Sequence, residues 1–194
     1  MKIIIPMAVL RAHEKIRAKS DTRYYLNGIF FRGDEVWSTD GHIAMWSEDN
    51  HNSTEDVGDG VIIQFGPIPA AKSIKSCVVD TETKIAYFFQ AGIESREALD
   101  EFDMSSRFRV TDISIVDGRF PDINRVKTQG KVEAVENIGF STRLLARTLD
   151  VSKALDQRFE CATFTFHGKT SGAGVEIKSP HHTMNLIIMP MRID

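Results

Sequence analysis

One pattern recurs three times along this 194-residue chain and leaves few folds open to it: a short β-branched run, a stretch with one apolar face, then further strands. In the first unit Met1 to Ile5 is the run, and Pro6 suits the first turn of a helix. Val9, Ala12 and Ile16 then share one face at helical spacing, with Arg11 and Lys15 opposite and Lys19 at the edge. Ser20-Asp21 closes that helix. Arg23 to Phe31 is aromatic and β-branched enough for a strand. Val36 to Trp46 reads as a second strand, interrupted by Asp40-Gly41, a dipeptide that favours a turn or bulge.

The second unit repeats the order. Val61 to Phe65 reads as a strand and Pro69 to Ser76 as a short helix carrying Lys72 and Lys75; strands follow at Cys77 to Asp80, Ile85 to Gln90 and Phe108 to Val116. Gly92 to Ser106 is acidic and fits a surface loop or a helical insertion equally well. In the third unit Ala134 to Phe140 is a weak strand candidate and Ser141 an N-cap. The helix after it runs to about Leu155, with Leu144, Thr148, Val151 and Leu155 on the core face and Arg143, Arg147 and Lys153 away from it. Strands at Phe159 to Phe166, Gly174 to Lys178 and Met184 to Met189 complete it. Helices with one apolar face must cover a sheet, so the expected class is α+β, with helices on one face of antiparallel sheets.

The rest of the composition narrows the chemistry. Cys77 and Cys161 are the only cysteines, too few for a disulfide framework and without metal-ligand spacing, as in reduced cytoplasmic proteins. The apolar run Met1 to Leu10 is broken by Pro6 and followed by Arg11, so neither a membrane span nor a signal peptide is expected. A net charge of −3 argues against strong nonspecific nucleic-acid binding on average. Acid, however, is concentrated in Ser47 to Asp59 and Glu94 to Asp103, and base in the expected helices. His42 beside Asp40, and His181-His182, are the residues a catalytic or metal reading would use. No nucleophile motif, phosphate loop or HExxH-like spacing accompanies them, so no catalysis, metal or cofactor is expected.

Three stretches carry a resemblance: Arg23 to Phe31 (RYYLNGIFF) with Ser38 to Ala44 (STDGHIA); Asp117 to Val126 (DGRFPDINRV); and Ile187 to Ile193 (IIMPMRI). In this order they resemble the bacterial DNA polymerase III β subunit, the sliding-clamp family, as a reduced and divergent member. That resemblance implies the DNA-clamp fold and no enzymatic activity. It implies a pocket for short hydrophobic peptides of polymerases and repair proteins, built from Leu26, Thr39, Gly41, His42, Ile43, Ala44, Pro121, Arg125, Val126, Ile187, Met189, Pro190, Met191 and Arg192. Methionine and aliphatic side chains suit an adaptable apolar cleft; the other reading of Ile187 to Met191 is a last core strand. The family often has a basic residue and a leucine where Ile43 and Ala44 stand, and Asp194 extends its usual end, which implies a different peptide preference.

The resemblance also implies a surface facing double-stranded DNA, for which Arg11, Lys15, Lys19, Lys72, Lys75, Arg143, Arg147 and Lys153 qualify by lying on expected helices. Such a surface would neutralise phosphates without reading bases; ordinary solvated helix faces account for the same residues. The expected organisation is a clamp-like domain over 1–126, built of units 1–60 and 61–126, a linker over 127–131, and a half-domain over 132–194. A lone half-domain leaves sheet edges and a helix face to cover. It therefore implies self-association, minimally a dimer through the third units and more boldly a four-copy ring around DNA. The alternatives are a compact monomer acting as a peptide-binding adaptor or decoy, and a structural α+β protein with no role at DNA.

Overall fold

A computed structural model describes residues 1–48, 52–53, 58–93, 95, 98–99, 103–125, 127 and 130–192. The first unit opens with β1 (Lys2–Pro6) and runs directly into α1 (Met7–Ile16). Met7, Val9, Leu10, Ala12 and Ile16 are all fully buried. Burying the larger of these side chains contributes roughly 1.5–3 kcal/mol each, so packing rather than propensity holds the helix. It ends at Ile16, short of Lys19, where the Arg17 N–H closes onto the His13 carbonyl at 3.0 Å.

The expected strand from Arg23 is corrected: Tyr24–Asn27 form a 3-10 turn, and β2 covers only Ile29–Arg32. The Asn27 side chain accepts the Asp21 N–H and donates to the Asp21 carbonyl, both at 2.9 Å. Such local bonding competes with a strand ladder. β3 (Glu35–Thr39) and β4 (Ile43–Glu48) are separate antiparallel strands, so Asp40-Gly41 reverses the chain rather than interrupting one strand. β5 (Asn52–Ser53) follows.

The second unit supplies β6 (Val61–Phe65), β7 (Ser76–Asp80), β8 (Ile85–Phe89) and β9 (Arg109–Ile115). The helix expected over Pro69 to Ser76 does not form. One turn remains of it, in which the Ile74 N–H donates to the Ala71 carbonyl at 3.1 Å. Pro67 and Pro69 restrict only Gly66 and Ile68, which precede the expected helix; too few residues remain before β7 to nucleate one. In the third unit the weak strand over Ala134 to Phe140 reduces to isolated bridges of Glu133 with His167 and Gly139 with Met191. α2 (Thr142–Ala154), β10 (Thr163–Thr165), β11 (Ala173–Lys178) and β12 (Thr183–Ile188) follow, β10 being shorter than expected.

The described strands run in the order β10-β11-β12-β4-β3-β2-β6-β9-β8-β7-β1-β5. The first two units exchange strands reciprocally: β1 pairs with β7, and β6 with β2. β9 pairs with β8 through Arg109–Asp112 and with β6 through Ile113–Ile115. β4 and β5 repeat that division, pairing with β3 and then β1. The third unit adds its strands at the β4 edge, Ile43 opposite Ile188 and Trp46 opposite Asn185, and lays α2 against α1. Val151 of α2 and Leu155, which follows its last turn, thereby join the core around α1, so this unit does not stand apart with its helix face uncovered.

Across the outer face of β2 to β4 runs the segment after β9. Phe120 stacks on Phe30 at 4.8 Å between ring centroids. Trp37 and Trp46 stack on each other at 5.4 Å. The Lys127 ammonium lies 4.5 Å and 4.9 Å from their ring centroids and 3.5 Å from Glu35 Oε1. These contacts bring Pro121 and Asp122 to the turn between β3 and β4.

Candidate functional site

The turn itself is built by its own side chains. Thr39 Oγ accepts the Gly41 N–H at 3.0 Å and donates to the Ile43 carbonyl at 2.8 Å. Asp40 Oδ1 accepts the N–H groups of His42 and Ile43 at 2.8 Å and 3.0 Å. Gly41 has φ +92°, a conformation that favours glycine; a Cβ there would lie 2.9 Å from the Arg23 guanidinium, the movable end of a half-exposed side chain. Arg23 is itself held by Asp21, through Nε at 3.0 Å and Nη2 at 2.8 Å. Those bonds pull the Asp21 carboxyl down to about 2 and raise Arg23 further above its ordinary value.

Two elements from the third unit complete the arrangement. Beyond β12 the Met189 N–H donates to the His42 carbonyl at 3.0 Å, and the Met191 N–H to the Gly139 carbonyl at 2.8 Å. The C-terminal segment therefore runs on beside the turn. On the opposite side Arg147 of α2 donates to Asp40 Oδ2 and to the carbonyls that end α1, including Lys15 O at 2.9 Å and Ile16 O. Its side chain is 18% exposed, so Arg147 faces the body of the protein, against its assignment to the solvent side of the helix.

Between the turn, the 3-10 segment, Pro121 and the start of the C-terminal segment lies an apolar cleft of about 270 Å³. All six residues nominated from the first unit line it: Leu26, Thr39, Gly41, His42, Ile43 and Ala44. Pro121, Ile187 and Met189 join them. Leu26, Ile43, Ala44 and Ile187 are buried in its floor and Met189 is 42% exposed at its edge. A volume just below the ~300–1,000 Å³ usual for ligand pockets fits one or two apolar side chains. Pro190, Met191 and Arg192 continue past the cleft and do not line it. Arg125 is exposed and reaches the cleft only through its 3.2 Å ion pair with Asp122. Val126, Thr128, Gln129, Ile193 and Asp194 lie outside the described residues.

Arg23, Tyr25 and Asp122 also line the cleft, and sequence reasoning missed them. A strand sends consecutive side chains to opposite faces, whereas the 3-10 turn brings Tyr25 and Leu26 to the same cleft. The basic residues do not form one stripe. Arg11 is half-buried and donates to the carbonyls of Pro69 at 3.2 Å and Ala71 at 2.6 Å. Lys19 pairs with Glu14, and Lys72 with Asp156 at 2.6 Å. Lys15, Lys75, Arg143 and Lys153 are exposed.

No protein-family model matches the sequence, and no curated protein matches it. Solved structures do. A DnaN sliding clamp (DNA polymerase III subunit beta) from Pseudomonas aeruginosa, bound to griselimycin, aligns over 100% of this chain with TM-score 0.56 at 18% identity. The Helicobacter pylori β clamp in complex with 3,4-difluorobenzamide aligns over 98% with TM-score 0.61 at 11% identity. The Thermotoga maritima DNA polymerase III β subunit aligns over 100% with TM-score 0.58 at 14% identity. The chain spans 66% of the length of each. It has the DNA-clamp fold, in a sequence far diverged from these clamps.

Proposed function

We propose that this protein is a sliding-clamp-like accessory factor of DNA replication or repair, a binding module rather than an enzyme. Its cleft takes short clamp-binding peptides of polymerases or repair proteins. The observation that carries this reading is the convergence of three distant stretches, around Thr39 to Ala44, at Pro121 and at Ile187 to Met189, on one apolar cleft. A peptide supplies an aliphatic or aromatic side chain to the floor formed by Leu26, Ile43, Ala44 and Ile187. Arg23, and Arg125 beyond Asp122, hold its polar groups at the rim. Duplex DNA is contacted through phosphates by exposed basic residues of the helical face.

A peptide of the glutamine-plus-leucine/phenylalanine type is expected to bind with micromolar-class affinity, on the order of −7 to −8 kcal/mol. Deleting Met189 to Asp194 should abolish binding and leave the circular dichroism of the fold in place. Equal binding by the truncated protein would show that the cleft is elsewhere. A second reading, the monomeric adaptor that binds peptides without encircling DNA, is favoured by the packing of α2 on α1 and β12 on β4. Light scattering separates the two: a mass that stays monomeric at every concentration removes the ring, and a rising mass supports self-association.

A further inference from the structure

Part of the apolar cleft's lining is a row laid across three strands. Thr39 of β3 stands opposite Ala44 of β4, and Ala44 opposite Ile187 of β12. All three line the cleft, and residues paired in this way share one face of the sheet. Beyond Ile187 the next strand, β11, brings no side chain to that face. Gly174 stands opposite Ile187, and Gly172, just before the strand, continues the same alternation. We propose that Gly172, which does not itself line the cleft, sets the size of the apolar side chain the cleft accepts, by leaving Ile187 room to lie back towards β11. The proposal rests on the peptide-cleft reading and names what tunes its specificity.

Gly172 is buried, and two cleft residues lie directly against it. A Cβ at this position would stand 2.6 Å from Ile187 Cγ2 and 3.4 Å from Met189 Sδ. Carbon atoms in contact need about 3.5–4.0 Å, so a single methyl group would displace Ile187 by about 1 Å. Backbone conformation does not call for glycine here, because Gly172 has no positive φ. What glycine provides is space, and Ile187 occupies it.

The direction of that displacement follows from the neighbours. Ile187 is buried, and its branched Cβ makes χ1 stiff, so both γ carbons move together. On the side away from β11 stands Ala44 with its single methyl, and the open volume that Ala44 and Ile187 both line is the cleft. A displaced Ile187 therefore enters the space that a peptide side chain would fill. Met189 responds differently: it is exposed and flexible, and turns aside into solvent. Enlarging residue 172 thus makes the cleft shallower at its floor while its rim stays open.

The test titrates two labelled peptides of the glutamine-plus-leucine/phenylalanine type, identical except for an anchor of phenylalanine in one and valine in the other, followed by fluorescence anisotropy. The wild-type protein should prefer the phenylalanine peptide by about 10-fold. Gly172→Ala should bind the valine peptide within about 2-fold of wild type and the phenylalanine peptide about 10-fold more weakly, erasing the preference. Gly172→Ala/Ile187→Ala removes the clashing Cγ2 and should restore it. A glycine needed only for the fold would weaken both peptides alike, so equal losses overturn the proposal, as does an unchanged preference. If Gly172→Ala fails to fold by circular dichroism, the double variant should fold and prefer phenylalanine; a double variant that stays unfolded, or prefers valine, overturns the proposal. A wild-type protein that binds neither peptide overturns the proposed function and this inference with it, whereas binding with a preference that Gly172→Ala leaves intact overturns this inference alone.

Discussion

The first and second units follow one plan, and they differ in one piece. Each contributes a first strand to its partner's second strand; the second ends in β9, which divides its pairing between two neighbours, and in the first β4 and β5 share that division. Yet the first keeps a ten-residue helix between its opening strands and the second keeps a single turn. The strand plan therefore does not need two helices of its own. It needs α1 to be covered, and α2 of the third unit lies against α1 and does so.

The largest expected effect comes from attacking the helix that exists. Leu10 is fully buried, and Leu10→Ala should cost about 2–5 kcal/mol, read as a lower denaturant midpoint at unchanged slope. A cost below about 1 kcal/mol would mean that α1 is not the centre of the core. Next is the latch between the covering helix and the turn. Arg147→Ala leaves Asp40 and the last carbonyls of α1 without their donor, which should cost about 1–3 kcal/mol. Peptide affinity should fall with it by about 3- to 10-fold, because Asp40 also holds the turn that lines the cleft. Arg147→Lys keeps the charge but not the fork and should restore little; full rescue would reduce the latch to simple charge.

The smallest effect tests the missing helix. In Pro67→Ala/Pro69→Ala, far-UV circular dichroism should show no new helix and stability should move by less than about 1 kcal/mol. The prolines then merely accompany a segment too short to nucleate. A gain of about one helical turn would make them the cause and restore the symmetry of the two units.

This contrast also explains what was legible in the sequence. Long, strongly periodic elements were: α1, α2 and the strands β6 to β9, β11 and β12 follow their apolar spacing. Most of the cleft was as well, because its residues sit in short stretches whose wording resembles a known family. What escaped is local competition. Asn27 folds back onto Asp21 and turns an apparent strand into a 3-10 segment; this hid Tyr25 and Arg23 from the cleft. Lys72 and Lys75 look helical only while the start of β7 at Ser76, which leaves room for one turn, is ignored. Arg147 sits at a polar position of its helix, and only the path of the α1 terminus reveals that it faces inward. No periodicity encodes a contact made by another unit.

The Lys127 contact has an optical consequence. Trp37 and Trp46 are the only tryptophans in the chain, and both indole faces lie beneath one ammonium group. All tryptophan emission thus originates at the spot where the segment joining the second and third units is pinned to the outer sheet. Lifting that segment would remove a cation from two stacked rings at once and alter both their emission and their coupled near-ultraviolet dichroism. The protein therefore carries an intrinsic reporter of how its third unit is tethered, readable without a label.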